Sequence, residues 1–274
     1  MTPVTAAAEA QAVAAARPSR PRVEWILTAL TLASILLAWY AIARYRLVSD
    51  LFVPHPAAVW EAFVDVLTEG YRGETLARHL ADSLYRVVAG FALAVVTAVP
   101  LGLAIGYSPR IRAVFDPLIE FYRPLPPLSY LPLVIIWFGI DELPKVILIY
   151  LACFAPLALA ARSGMRAATQ EQVHAAYSMG ATHWQVVRHV ILPAALPEIL
   201  VGMRIAIGFG WTTLVAAEMV AANVGLGQMV LNASNFLRTD IVVMGIIVIG
   251  VVAYAFDLLM RWLERRLVPW KGRA

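Results

Sequence analysis

One stretch of this chain has residue types and spacing suited to a defined chemistry, and that chemistry is non-covalent docking. His174-Ala175-Ala176-Tyr177-Ser178-Met179-Gly180 is followed, nine residues after the glycine, by Val190-Ile191-Leu192-Pro193. Thr169 with Gln172, and Thr182 with Gln185, have the spacing at which side chain and backbone cap a helix start reciprocally. Gly180 stands where a first short helix must stop and turn, and Pro193 is expected to close a second. The stretch therefore reads as helix, glycine turn, helix. Ala175 and Ala176 allow close approach, while Tyr177, Met179 and Trp184 offer anchors for pockets on a partner. Either a partner grips this loop, or it is a connecting hairpin lying on a membrane surface.

Covalent and metal chemistry find no such constellation. The five histidines (55, 79, 174, 183 and 189) form no H-E-x-x-H pair, and the single cysteine, Cys153, cannot build a thiolate cage. It reads as packing and excludes an intrachain disulfide framework. Only two lysines exist, Lys145 and Lys271, and neither sits in a G-x-x-x-x-G-K-[ST] phosphate loop. Ser178 and Ser234 lack a nucleophile elbow. The expectation is a chain that is not an enzyme and holds no cofactor or metal of its own.

Composition says what surrounds the loop. The chain of 274 residues is 61% hydrophobic and 15% charged, against about 45–50% and about 25% in soluble domains. It is an integral membrane protein of all-α class. Its net charge of +4 suits an anionic lipid face rather than nucleic acid. A hydrocarbon core takes about 20 apolar residues per helix, which predicts six spans at 24–43, 87–107, 113–138, 144–161, 198–220 and 240–260. Lys and Arg cluster on one side of that model: Arg17, Arg20 and Arg22; Arg110 and Arg112; Arg162, Arg166 and Arg188; and Arg261 onward. Both termini and the loop 162–198 are then expected in the cytoplasm.

The expected organisation is a disordered cytoplasmic tail at 1–22, a first transmembrane helix at 23–43 and an extracytoplasmic segment at 44–86. A permease core of five helices over 87–261 and a cytoplasmic tail at 262–274 complete it. The apolar run from Trp25 to Ala43 exceeds the about 7–15 residues of a signal-peptide core, which favours a membrane helix there. Within 44–86, Pro54-x-Pro56 and the Val59, Phe63, Val66, Leu67 face predict an amphipathic surface helix, although Arg44, Arg46, Arg72, Arg78 and Arg86 run against the charge rule.

Small residues recur every fourth position in the second span (Gly90, Ala94, Ala98, Gly102, Gly106) and the fifth (Gly202, Ala206, Gly210), predicting close helix contacts. These line a pathway or are routine bundle packing. The third span contains Arg123-Pro124-Leu125-Pro126-Pro127-Leu128-Ser129-Tyr130-Leu131-Pro132. Backbone interrupted in this way must be buried in protein or line a wet cavity, as a broken helix at a gate or as a simple kink. Ionisable groups are scarce in the apolar centres, which argues against an ion-coupled transporter. Glu218 is read as an interfacial carboxylate or as a polar contact near an outer gate.

These residues resemble the ABC-importer permeases. Their coupling motif runs E-A-A, three residues, Gly, nine residues, I-x-L-P, matched here by His174-Ala175-Ala176, Gly180 and Val190-Ile191-Leu192-Pro193. Pro54-x-Pro56-x-x-Val59, Arg123-Pro124-x-Pro126-Pro127, Trp137-Phe138-Gly139 and Gly225-Leu226-Gly227 are similar to the nitrate/sulfonate/taurine/bicarbonate branch over residues 50–272. Gly210-Trp211-Thr212-Thr213-Leu214-Val215-Ala216-Ala217-Glu218 and the tail Arg265-Arg266-Leu267-Val268-Pro269-Trp270 resemble taurine permeases most. His174 replaces the motif's glutamate and Val190 its isoleucine; the first removes a carboxylate, the second keeps a β-branched anchor.

The resemblance implies a type I ABC-importer permease in a bacterial inner membrane, paired with a second copy. It implies two ATPase subunits that carry ATP and Mg, and a periplasmic substrate-binding protein. It makes Arg123, Pro126, Pro127, Tyr130, Trp211, Thr212, Thr213 and Glu218 candidate pathway or gate residues. Taurine or another aliphatic sulfonate is the expected substrate, with nitrate, bicarbonate or a thiamine-precursor pyrimidine as alternatives. An ATP-independent channel, a secondary transporter and a membrane scaffold are the readings from other classes.

Overall fold

A computed structural model describes residues 21–270. The expected tail at 1–22 lies outside them except for residues 21 and 22, as do the last four positions of the expected tail at 262–274. Among the described residues the secondary structure is helical, with one isolated β-bridge between Tyr71 and Glu74. In order come α1 (Pro21–Arg44), α2 (Pro56–Thr68), α3 (Leu76–Tyr107), α4 (Pro109–Tyr122), a 3-10 turn (Pro127–Tyr130) and α5 (Leu131–Phe138). There follow α6 (Glu142–Gly164), α7 (Gln170–Ser178), α8 (His183–Val186), a π turn (Val187–Ile191), α9 (Leu192–Ala221), α10 (Leu226–Asn235) and α11 (Thr239–Leu267).

Five helices among the described residues are long and apolar enough to cross a membrane: Trp25–Arg44, Leu76–Tyr107, Glu142–Gly164, His183–Ala221 and Thr239–Leu267. The sixth expected span, 113–138, is not one helix. Pro124, Pro126 and Pro127 remove three of the four backbone N–H groups at 124–127, so α4 ends at Tyr122 and the chain resumes as a 3-10 turn and α5. This is the broken segment, not a kink. The second span also departs from expectation, beginning at Leu76 rather than at 87. Thr75 caps it, its hydroxyl accepting from the Arg78 N–H at 3.3 Å. Residues 76–86 therefore continue the helix of the second span, and Arg86 lies buried in the bundle, 1% exposed. The amphipathic helix expected after Pro54 is α2, burying Val59, Ala62 and Val66, with Leu67 exposed.

The chain divides into two compact units, 1–58 and 59–274. In the first, α1 is apolar all round, the pattern of a helix whose neighbour is lipid; past its end the Trp39 indole N–H donates to the Pro54 carbonyl at 3.0 Å.

The second unit is built on three helices. Val87, Phe91, Ala94, Ala98 and Ile105 of α3, Ile149, Cys153, Leu157 and Ala158 of α6, and Ala206, Ile207, Trp211 and Leu214 of α9 form one buried cluster. The small-residue stripes explain how three helices share it. Both face α6: a Cβ on Gly90 would sit 2.8 Å from Ile149, one on Gly102 would strike the Ala158 carbonyl, and one on Gly202 would strike Ala160. Lipid gives no hydrophobic drive to helix association, so backbone-close packing supplies the contact. Ion pairs tie the end of the bundle nearest the 165–191 loop: Arg162–Asp116 at 2.7 Å between α6 and α4, and Arg204–Asp257 at 3.0 Å between α9 and α11.

Gly102→Val is expected to destabilise the folded protein by about 1–3 kcal/mol or more, since the overlap is with backbone that cannot rotate away. A thermal unfolding curve of detergent-purified protein reads this. Gly208→Ala, where an added methyl meets nothing within 4 Å, should leave the midpoint unchanged.

Candidate functional site

The loop between α6 and α9 is built as its residues dictate. Thr169 caps α7 in a reciprocal box, with Gln172 N–H to the Thr169 hydroxyl at 3.3 Å and Thr169 N–H to the Gln172 side chain at 3.1 Å. α7 then ends in a Schellman turn. Ala181 N–H bonds the Ala176 carbonyl at 3.1 Å and Gly180 N–H the Tyr177 carbonyl at 2.9 Å, with Gly180 at φ +81°. Thr182 and Gln185 repeat the box to start α8. The second helix is not closed by Pro193, as expected from sequence. It passes through the π turn Val187–Ile191, where Leu192 N–H reaches the Val187 carbonyl, into α9 with Pro193 in its first turn. The wider turn relieves the clash that Pro193 would make with a carbonyl four residues back.

Met179 (83% exposed) and Trp184 (66% exposed) project outward. Ala176 is buried against the loop itself while Ala175 and His174 are exposed. Tyr177 is exposed but engages its hydroxyl within the loop: it lies 2.7 Å from His183 Nδ1, and His183 Nε2 contacts the hydroxyl of Tyr107, the last residue of α3. His183 thereby joins the loop to α3 as well as to α9, a link that no sequence feature announced. Val190 and Leu192 are half-buried on either side of the end of the π turn.

A second feature is a groove of about 580 Å³ beside the broken segment. Arg123, Pro126, Pro127 and Tyr130 line it together with Pro156 of α6 and Glu198 of α9. Arg123 and Glu198 are its charged residues; the other walls are mainly apolar. The remaining gate candidates lie elsewhere. Trp211 is buried edge-on to Phe256, at 5.7 Å between ring centres, and Thr213 is buried. Thr212 is exposed, with its hydroxyl donating to the Phe209 carbonyl at 2.9 Å.

Glu218 belongs to a third feature, an ionic staple at the end of the bundle opposite the loop. The Arg86 Nη1 group donates to Glu218 Oε1 and to the Val224 carbonyl, both at 2.7 Å; its Nε and Nη2 embrace the Glu142 carboxylate. Lys145, 3% exposed, donates to Glu142 at 2.8 Å. Glu218, fully buried, also accepts from Ser83 at 2.7 Å and from the Gly227 N–H at 2.8 Å. Ser83 accepts in turn from the Leu226 N–H at 2.9 Å. Two cations and two carboxylates balance, with Glu142 half exposed at the edge, and both oxygens of the buried Glu218 are bonded, which is the condition for holding its charge away from water. Gly225 makes room: a Cβ there would stand 2.5 Å from the Glu218 carboxyl carbon and 2.7 Å from Arg86. The staple joins α3, α6, α9 and the 222–227 turn. Its sequence signal was the spacing of His79, Ser83 and Arg86, which lie on one helical face.

Comparison with known proteins adds the following. Residues 98–269 match the family described as "Binding-protein-dependent transport system inner membrane component". The chain is 50% identical over 243 residues to the taurine transport system permease protein TauC of Escherichia coli, covering 88% of each. It is 34% identical to the putative aliphatic sulfonates transport permease protein SsuC of Bacillus subtilis, covering 93% of this chain and 91% of the relative. The bicarbonate transport system permease protein CmpB of Synechococcus elongatus is 30% identical, with 67% and 66% covered. Among solved structures, the inward-facing MetNI methionine ABC transporter shares the fold with a TM-score of 0.60 at 18% identity, covering 70% of this chain and 95% of that one.

Arg86→Met should cost about 3–5 kcal/mol, because Glu218 is left charged without its partner. Arg86→Met with Glu218→Leu should recover part of that loss. A double-mutant cycle on the unfolding of purified protein measures the difference, and full stability in Arg86→Met would contradict the staple.

Proposed function

Because the chain belongs to the binding-protein-dependent transport system inner membrane component family, we propose that it is an importer permease for taurine or a related aliphatic sulfonate. The substrate rests on the likeness to the taurine and sulfonate permeases. The groove supports it: one guanidinium, Arg123, and one carboxylate, Glu198, on mainly apolar walls suit a small zwitterion carrying a sulfonate and an ammonium group.

In this reading the chain is a translocation subunit with no catalytic site, cofactor or metal. Two ATPase subunits carry ATP and Mg, a second permease copy completes the pathway, and a periplasmic binding protein delivers substrate. The protein sits in a bacterial inner membrane with both termini and the 162–198 loop in the cytoplasm.

The observation that carries the mechanism is the continuity of the loop with two membrane helices. An ATPase cleft gripping Met179 and Trp184 would move α7 and α8 together, because both are capped and joined by a Schellman turn. Through the π turn the displacement enters α9, and through His183 and Tyr107 it enters α3. Helices packed backbone-close at Gly102 and Gly202 have no slack to absorb the movement. At the far end the staple keeps α3, α6 and α9 together, so the bundle rocks as a body instead of splaying. Substrate is exposed to one side and then the other.

Proteoliposomes holding this chain with its ATPase and binding protein should take up labelled taurine only with ATP, with competition by alkanesulfonates. Uptake without ATP, or competition by nitrate or bicarbonate alone, would overturn the reading. Gly180→Val should abolish uptake while the protein still inserts, since no side chain crowds that site and the cost is purely the left-handed backbone, about 1–2 kcal/mol and more for a β-branched residue.

His174→Glu places a carboxylate on an exposed position of α7. Pull-down of the ATPase should be equal or stronger; a clear loss of binding would assign His174 a specific contact of its own.

A further inference from the structure

The turn at residues 70–74, the first turns of α3 and the face of α10 enclose a second, polar cavity of about 280 Å³. It lies beside the staple, far from the groove of Arg123. Its walls include Arg72, Glu74, His79, Asn223, Gln228 and Asn232, a lining unlike that of a packing defect, which would be apolar.

His79 decides what the cavity asks for. It is 4% exposed, and its Nδ1 lies 3.1 Å from both the N–H and the carbonyl of Gly225. That carbonyl already accepts the Met229 N–H at 2.9 Å, whereas the Gly225 N–H bonds to nothing else among the described residues. Nδ1 is therefore the acceptor, and in the neutral ring the proton sits on Nε2. Nε2 is buried and has no partner among the described residues, and the Oε1 position of Gln228 is in the same condition. The two ends of the Gln228 amide are interchangeable by a half-turn, so this group can offer either its oxygen or its NH2 to a ligand. Leaving such groups unmet costs about 1–3 kcal/mol each.

Arg72 adds charge. Its Nη1 donates to Asn232 Oδ1 at 2.7 Å and its guanidinium lies 5.6 Å above the Phe236 ring, which together fix its direction. Its backbone stands at φ +54°, an unfavoured conformation for arginine, held by reciprocal Tyr71–Glu74 backbone bonds of 2.7 and 3.2 Å. Donors from Arg72, His79 and Gln228 thus border one small space, with the Glu74 carboxylate also on its wall.

We propose that this cavity is a second, separate binding site for the sulfonate head of a small organosulfonate, with Glu74 on the wall to meet an ammonium group where the ligand has one. The three sulfonate oxygens match the donor set, and a charge-assisted acceptor meets the buried histidine proton. The identity of the oxyanion rests on the importer reading; the existence of an oxyanion site does not. Given the expected orientation, the cavity opens on the side from which substrate arrives, so it would hold substrate before the groove does.

The test is backbone hydrogen–deuterium exchange on the purified permease–ATPase complex without binding protein, titrated with taurine, methanesulfonate or ethanolamine at constant ionic strength. Both sulfonates should slow exchange in residues 71–79 and 223–232, and ethanolamine should not. Arg72→Gln, at an exposed position that should not impair folding, should weaken the effect about tenfold or more; Gln228→Met should weaken it as well. The site is overturned if neither sulfonate protects these segments, if both variants respond as the parent does, or if protection appears only when binding protein is added. Sulfonate protection without taurine uptake would sink the importer reading and leave this site standing; taurine uptake without protection would do the reverse.

Discussion

A charged group inside a membrane protein must be neutralised, and in this molecule that requirement organises one whole end of the bundle. Arg86 is the only cation within reach of Glu218 among the ion pairs of the described residues, and Glu218 is fully buried. Arg86 must then share its charge with Glu142, which Lys145 completes. Each step recruits another element: α3 brings Arg86, α9 brings Glu218, α6 brings Glu142 and Lys145. The remaining Glu218 oxygen draws in the Gly227 N–H, and with it the turn into α10. The glycines of that turn follow from this demand, because no side chain at 225 fits between a carboxylate and a guanidinium. Such a network adds little net stability over apolar packing. It does specify which helix ends meet, and at what register.

The opposite end solves another problem. In the proposed coupling role, a surface loop must be stiff along its length and free to be gripped. Two capping boxes and a Schellman turn satisfy its backbone locally, so the loop keeps its shape without a deep core of its own. The π turn that follows is the compromise between an uninterrupted path into α9 and a proline in that path. Between the two ends, side chains are missing at Gly90, Gly102 and Gly202, where α3 and α9 approach α6 most closely. If the loop is pulled as proposed, a bundle clamped at one end and closely packed in the middle has few ways to deform other than as a body.

Much of this was legible in the sequence, for reasons that are local. The Thr-x-x-Gln boxes and Gly180 name their own conformations, and apolar runs of about 20 residues announce spans by length alone. The proline series marked the third span as interrupted, because missing N–H groups weaken a helix wherever they fall, but left a break and a simple kink both open. What was not legible depends on partners distant in the chain. Arg86 counts as a loop arginine when charge is taken to end a span; its exemption comes from Glu218, 132 positions away. Pro193 reads as a helix stop unless a π turn precedes it. Among the gate candidates, Arg123 and Tyr130 line a cavity because the broken backbone puts them there, whereas Trp211 and Thr213 fall on the buried side of α9, a matter of helical phase that family likeness does not reveal.

One face of α3 carries the difference between structure and function in this molecule. His79, Ser83 and Arg86 follow one another along it, and all three hold the 222–227 turn. Ser83 both donates and accepts, and Arg86 is bonded through each of its nitrogens, so both are largely committed to the staple. His79 uses one nitrogen for the same task and presents the other to a polar cavity. A buried donor without a protein partner is a cost unless water or a ligand meets it. The cost is understandable where a ligand removes it on arrival. The same turn that closes over the staple also forms a wall of the cavity, through Asn223 and the start of α10. Occupancy of the cavity and the clamping of α3 to α9 therefore act on one short segment of backbone.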